Sequence, residues 1–232
     1  MTAPVSCIIP VYNAERYLAD ALRSVIEQTR PPAEILVVDD GSTDGSAKVA
    51  ATFGDRVRYV RQQNAGPAAA RNLGLRHVSQ EFVAFLDADD YWHREKVARQ
   101  LARFEERPDL DISVTRVENF WSPEDAARDP RSSDPRHTEP WPGYTCVSLL
   151  TRRRTFDVVG AFNPELWLAE DNDWFVRASE RGMVMELIPD ILVHRRYHGA
   201  NLTTRLAAQR NDRMAEVIKA SLERRRRGES TS

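Results

Sequence analysis

The sequence has little that would mark a secreted, membrane-spanning or nucleic-acid-coating protein. It has only two cysteines, Cys7 and Cys146, in 232 residues. They form no metal-spaced pair, and a reducing, cytoplasmic setting is expected. No apolar run approaches the roughly 20 residues that span a bilayer. The start, Met1-Thr2-Ala3-Pro4, has no basic segment and leads straight into the short apolar run Val5–Val11, so no signal peptide is expected. Excess charge of one sign is also missing. There are 33 basic against 35 acidic residues, net −2, which excludes a surface-wide nucleic-acid footprint. What is present is 41% hydrophobic and 29% charged residues, with a mean hydropathy of −0.54. A chain of this size should bury roughly 70–75% of its unfolded surface. One sizeable domain, or a domain with a small appendage, is the expectation.

The first half alternates strand and helix signals. Val5–Val11 reads as a buried strand carrying Pro10. Asn13 is a candidate cap for a helix whose stripe is Leu18, Ala21, Leu22, Val25 and Ile26, stopped by Pro31-Pro32. Ile35–Val38 is a second strand, and Asp39–Ser46 a loop by composition. A short helix over about 43–53, a strand at Val57–Val60, a helix from Pro67 to about His77 and a strand at Phe82–Leu86 follow. This alternation predicts an α/β fold with a mostly parallel, Rossmann-like sheet flanked by helices. The second half is less regular. Helices are expected over Glu95–Glu106, Phe156–Gly160 and Asp171–Arg181, and strands at Val147–Leu150 and from Ile191. Ser122–Pro142 is polar and proline-rich and predicts a mobile loop. A last helix carries a stripe of Met214, Val217, Ile218 and Leu222.

Carboxylates stand directly after two of the buried strands: Asp39 and Asp40, then Asp87, Asp89 and Asp90. Such clusters repel unless a cation or a donor-rich ligand lies among them. Asp87-Ala88-Asp89 in a turn suits one hard cation, Mg²⁺ or Mn²⁺, held by few carboxylates plus phosphate oxygens. A solvated acidic turn is the alternative. Position after a buried strand, with a matching acidic turn, favours the cation. Arg71 falls near the positive end of the helix opened by Pro67, where a cation is disfavoured. A bound anion or an acidic partner, Asp39 or Asp40, would resolve this. Glu170-Asp171-Asn172-Asp173 sets carboxylates at a helix opening, where capping alone would also explain them.

Taken together these segments resemble family 2 glycosyltransferases of the GT-A fold. The matching pieces are Ile8-Ile9-Pro10-Val11-Tyr12-Asn13, Val37 through Asp44, Asn64-Ala65-Gly66 through Arg71-Asn72, Phe85 through Asp90, and Glu170 through Asp173. Five weak pieces in the family's order make a strong signal. The resemblance implies that Pro10 and Tyr12 line the nucleoside pocket and that Asp40 accepts a hydrogen bond from the base, with Asp39 beside it. It implies that Arg71 encloses the nucleotide, that Asp87 faces ribose or metal, and that Asp89 holds the metal. Asp171 would be the general base of an inverting transfer to a hydroxyl of a glycan, a lipid-linked glycan or a small molecule. UDP-sugar is the expected donor. His194 through Thr203 matches a late family segment, in which His198 is a metal ligand or diphosphate contact and Arg195 or Arg196 supports the phosphates.

The Gln-x-x-Arg-Trp motif of processive members is missing, which predicts one sugar per encounter. Residues 4–205 are expected to form the GT-A domain, with a nucleotide-binding half over about 4–92 and an acceptor half over about 93–205. Residues 206–232 would be a C-terminal helix and polar tail. Arg224–Arg227 reads as a solvated helix end; peripheral contact with an anionic membrane is the sharper alternative. The competing functions are nucleotidyl transfer and a non-catalytic nucleotide-sugar-binding module.

Overall fold

The computed structural model describes residues 2–228, except the side chains of Arg205, Ala207 and Arg210. Its first half follows the apolar runs closely. Strand β1 (Ala3–Val11) is followed by α1 (Leu18–Ile26), which buries Leu18, Ala21, Leu22 and Val25. β2 (Pro32–Asp39), α2 (Ser46–Ala51), β3 (Arg58–Arg61), α3 (Pro67–His77) and β4 (Phe82–Phe85) complete this half. β1 pairs in parallel with β2 on one side and β4 on the other, and β3 flanks β2. The strand order β3-β2-β1-β4 therefore reverses direction beside β1. In such sheets the crevice outside the strand carboxyl ends at the reversal is where ligands bind. Tyr12, Asp39-Asp40 and Asp87–Asp89 all follow strand ends at this crevice.

The second half extends the same sheet. It comprises β5 (Tyr91–Trp92), α4 (Lys96–Glu106), β6 (Ile112–Trp121), the single turns α5 (Pro123–Ala126) and α6 (Pro135–Thr138), β7 (Trp141–Pro142), β8 (Leu150–Arg152), α7 (Thr155–Val159), α8 (Glu170–Glu180), β9 (Met185–Tyr197), α9 (Leu202–Arg205) and α10 (Arg210–Arg226). The long pairing here, β6 with β9, is parallel, whereas the antiparallel contacts of β8, β7 and β5 are two or three residues long. The core lies on both faces of the sheet. One side packs α1 and α4 through Leu22, Val97, Leu101 and Phe104, the other α3 and α8 through Ala70, Phe85, Trp174 and Phe175.

Several sequence expectations change. Asn13 does not cap α1. It takes a positive φ of 51°, and its Oδ1 accepts the Thr43 N–H at 2.8 Å, bracing the loop after β2. Strand β6 shows no clear period in the sequence because Ile112–Thr115 are all buried, whichever face of the sheet they point to; the register shift opposite Thr115–Val117 lies on β9, at Pro189-Asp190 and Leu192. The strand expected at 147–150 begins at Leu150, after a 3-10 turn at Cys146–Ser148. In place of an irregular loop, residues 122–142 form short turns. Ser122, Asp129 and Asp134 accept N–H groups from Asp125, Arg131 and Arg136. Polar side chains thus do locally what apolar burial does elsewhere. On α10 only Val217 of the expected stripe is fully buried, packed with Leu166 and Ala169 before α8; Ile218 and Leu222 face solvent. The Arg224 Nε donates to Glu180 at 2.7 Å, so that part of the basic run is paired within the fold. Among the described residues no helix is long and apolar enough to cross a membrane.

Candidate active site

The loop after β2 owes its shape to its own polar groups. Asp39 is fully buried; its Oδ1 accepts the Ser42 N–H at 2.6 Å and its Oδ2 the Tyr59 hydroxyl at 2.5 Å. Asp40 is buried as well. Its Oδ1 takes the Gln62 side-chain amide (2.7 Å) and the Ala65 N–H (2.9 Å), and its Oδ2 takes the Gly66 N–H (2.8 Å). Both carboxylates are thus engaged in holding the crevice wall. Gly41 has φ 82°, and a Cβ there would come within 2.9 Å of the Asn64 nitrogen, so the close approach of the two loops requires glycine. Tyr12 is 53% exposed beside these loops and Pro10 half-buried, positions open to a flat ring.

Arg71 pairs with neither Asp39 nor Asp40. Its guanidinium, almost fully buried, donates to Asp87 Oδ1 at 2.7 Å and to Glu170 Oε1 at 2.6 Å. This three-residue bridge ties α3 to the end of β4 and to the start of α8. The Arg71 Nε and Glu170 Oε2 are buried without protein partners. Burial raises the Glu170 carboxyl above its ordinary value although Arg71 opposes it. Asp173 is buried against Arg177 at 2.8 Å. Asp171 alone of the three acids opening α8 is partly exposed and outside any ion pair; it accepts the Thr145 hydroxyl at 2.7 Å and the Asn172 N–H at 2.8 Å.

At the end of β4, Asp89 Oδ2 lies 3.0 Å from His198 Nε2 and accepts the Asn201 side-chain amide at 3.0 Å. Asn201 also accepts the His198 N–H at 2.6 Å through its Oδ1, closing a tight turn after β9. The Tyr17 ring packs on His198 with centroids 4.7 Å apart. Asp90 accepts the Arg196 N–H at 2.8 Å. Burial, then the charges of Asp89 and Asp87, push its carboxyl well above the usual carboxylate range. Three crowded acids of this kind gain from a nearby cation. The Asp89–His198 separation suits one too: two adjacent ligands of an octahedral ion with bonds of about 2.1 Å stand about 3.0 Å apart. The Ala200 N–H lies 3.2 Å from His198 Nδ1, and Nε2 faces Asp89 and the Asn201 side-chain amide. Among the described residues no group of three or more His, Cys, Asp or Glu is arranged to hold a metal.

His194 and His198 do not share a site. His194 contacts Glu118 at 2.6 Å and stacks on Tyr91, away from His198. Arg195 donates to Thr203, and Arg196 to the Asp89 carbonyl, which it reaches across the Tyr17 ring. Both cysteines are free and buried, and burial raises their thiols well above the usual range. Sequence reasoning assigned no individual role to Asn201, Thr145 or Tyr17 and did not foresee the pairing of Glu170 with Arg71. Their partners lie far along the chain, and no local spacing announces them.

Comparison with known proteins agrees with this geometry. Residues 6–162 match the family described as Glycosyl transferase family 2. Glycosyltransferase GlyA of Streptococcus pneumoniae serotype 4 is 40% identical over 119 residues, 50% of this chain and 17% of GlyA. The first curated relatives are matched over a similarly small share, 17% of their length. Two solved structures share the fold. S. aureus TarS in complex with UDP-GlcNAc is 23% identical, with a TM-score of 0.68 over 87% of this chain and 60% of that one. Mannosyltransferase PcManGT from Pyrobaculum calidifontis, in complex with GDP-Man and Mn²⁺, is 22% identical, with a TM-score of 0.70 over 94% and 65%. With the matched stretch covering most of the chain, and the GT-A sheet carrying its acids at the strand ends, the chain belongs to glycosyl transferase family 2.

Proposed function

We propose that this chain transfers a sugar from a nucleotide-diphosphate sugar, UDP-sugar first, to an acceptor hydroxyl with inversion at the anomeric carbon. The observation that carries the proposal is the state of the three acids opening α8. Glu170 and Asp173 are buried in ion pairs, and Asp171 is left partly exposed at the crevice. A base must reach its proton, and Asp171 has that access.

In this reading Asp171 takes the proton as the acceptor oxygen bonds to the anomeric carbon. The bond from that carbon to the diphosphate oxygen breaks, and the nucleoside diphosphate leaves with the electron pair. The Thr145 hydroxyl, donating to Asp171 Oδ2, fixes the carboxylate and leaves Oδ1 the oxygen nearer its own helix backbone. Tyr12 and Pro10 flank the nucleoside, while Asp39 and Asp40 shape its wall. Arg71 and Glu170 keep Asp87 and α8 in register. Asp89, with His198, would hold Mg²⁺ or Mn²⁺, which supplies positive charge against the departing diphosphate. Donor binding in this reading belongs to residues 4–92 and acceptor binding to 93–205. The UDP-GlcNAc bound by TarS and the GDP-Man and Mn²⁺ bound by PcManGT support a nucleotide-sugar donor and a divalent metal.

The test is a panel of UDP- and GDP-sugars with Mn²⁺, read as nucleotide release by chromatography. Asp171→Asn should lower turnover by about a hundred- to ten-thousand-fold while UDP affinity, by calorimetry, stays unchanged. Formation of UTP and sugar-1-phosphate from a UDP-sugar and added pyrophosphate, in place of UDP release, would refute glycosyl transfer and favour nucleotidyl transfer. Normal turnover in Asp171→Asn with loss in Asp173→Asn or Glu170→Gln would refute the choice of base.

A further inference from the structure

We propose that Tyr144 and Trp167 form an acceptor subsite that takes the apolar face of a pyranose ring, so that the attacking hydroxyl belongs to a sugar. The inference rests on the glycosyl-transfer reading and adds to it the chemical class of the acceptor.

Among the described residues four aromatic side chains are well exposed: Tyr12, Tyr59, Tyr144 and Trp167. Tyr12 and Tyr59 lie on the donor side, the latter bound to Asp39. Of the other two, Tyr144 precedes Thr145, whose hydroxyl reaches Asp171, and Trp167 precedes the start of α8. Tyr144 is 42% exposed and stands edge-on to Phe175, 5.7 Å between centroids; Phe175 is one turn along α8 from Asp171. Its neighbour Thr145 is the donor to Asp171. On the other flank the Gly143 N–H bonds the Thr115 carbonyl at 3.1 Å, where a Cβ would lie only 2.4 Å from that oxygen. Tyr144 is therefore held at both backbone neighbours.

Trp167 is 39% exposed, lies three residues before α8, and packs against Gly66 on the donor side. Its indole Cε2 and Cζ2 would come 3.0 Å from a Cβ at Gly66, the residue whose N–H binds Asp40. Leu168, next to it, has φ 82°, a left-handed conformation that a residue with a side chain rarely adopts. That turn leaves Trp167 outside while Leu166 and Ala169 on either side are buried against Val217. Strain retained beside the base, to keep an indole in solvent, points to a ligand.

Tyr and Trp offer large contact area at little entropic cost, with one apolar face and one polar edge. A pyranose has the complementary shape: C–H groups on its faces and hydroxyls around its rim. The two rings would take the faces and leave a rim hydroxyl at the Asp171 carboxylate. An acyclic alcohol offers no such face.

Saturation-transfer NMR tests this with methyl β-D-glucopyranoside, methyl β-D-galactopyranoside, methyl N-acetyl-β-D-glucosaminide and methyl α-D-mannopyranoside. Glycerol is the acyclic control, and each is measured with and without UDP and Mn²⁺. At least one pyranoside should show saturated ring protons, and glycerol none. Trp167→Ala and Tyr144→Ala should each reduce that signal at least fivefold, with UDP saturation kept within twofold; Trp167→Phe should retain most of it. No ring saturation from any pyranoside in the wild type, an unchanged signal in both alanine variants, an equal signal from glycerol, or loss of UDP binding in the variants would each overturn the proposal. Absence of UDP saturation in the wild type is a separate failure, that of the donor reading, because the pyranosides are also measured without UDP.

Discussion

Lys96, at the start of α4, carries a charge the fold has no use for at neutral pH. Its side chain is fully buried, its Nζ donates to Gln100 Oε1 at 2.7 Å, and it lies 4.2 Å from the centre of the Trp92 ring. Burial brings its ammonium down from 10.5 to about 7, against a small opposing influence of Cys7. The folded state therefore holds fewer protons than the unfolded chain between about pH 7 and 10.5. Stability attributable to this group is full above the unfolded value, falls as pH drops towards 7, and is flat below it. At about 1.4 kcal/mol per pH unit, the whole span amounts to about 5 kcal/mol. Lys96→Met keeps the apolar stem and removes the charge. It leaves Gln100 Oε1 without its donor, a cost of about 1–3 kcal/mol. Urea unfolding of both proteins at pH 7, 8, 9 and 10 isolates the group, because all other titrations are shared. The variant should be the more stable protein at pH 7, and its advantage should shrink by about 1.4 kcal/mol per unit and reverse as pH rises. A difference that stays constant within about 0.5 kcal/mol from pH 7 to 10 would refute a buried, neutralisable Lys96.

Three further outcomes follow from the site. Arg71→Met should destabilise by about 3–5 kcal/mol, because it leaves Glu170 buried and unpaired; adding Glu170→Met should restore most of that loss in chemical denaturation. Asp89→Ala should abolish the Mn²⁺ dependence of UDP binding, and equal UDP affinity with and without metal in the wild type would remove the assigned role. Asn201→Ala withdraws a donor from the Asp89 carboxylate. Supporting groups of this kind typically hold 10- to 100-fold in metal affinity, so Mn²⁺ binding to the UDP complex, followed by electron paramagnetic resonance, should weaken by about that factor.

The first half was readable from residue order because its determinants are local. Apolar runs of four to nine residues dictate β1, β2 and β4, Pro67 opens α3, and the acids that follow the strands arrive at the crevice as a consequence of a parallel sheet. The second half was less so. β6 is buried at every position over Ile112–Thr115 and β9 is interrupted by a register shift, so neither shows the two-residue period that reveals a strand. Polar residues at 122–142 look like a loop by composition, yet their side chains cap short turns.

By itself the sequence determined the α/β class, the order of the acidic turns and the family, since strand burial, helix stops and motif order are all written within short stretches. Tertiary structure alone decided who partners whom. It gave Arg71 to Asp87 and Glu170 in place of Asp39 or Asp40, because the end of β4 and the start of α8 meet at the face of α3. It joined Asp89 to His198 and Asn201, and it left Asp171 open by burying the acids on either side of it. A charge in a folded chain is paired by proximity in space, and residues that distant in the chain leave no mark of that proximity in their spacing.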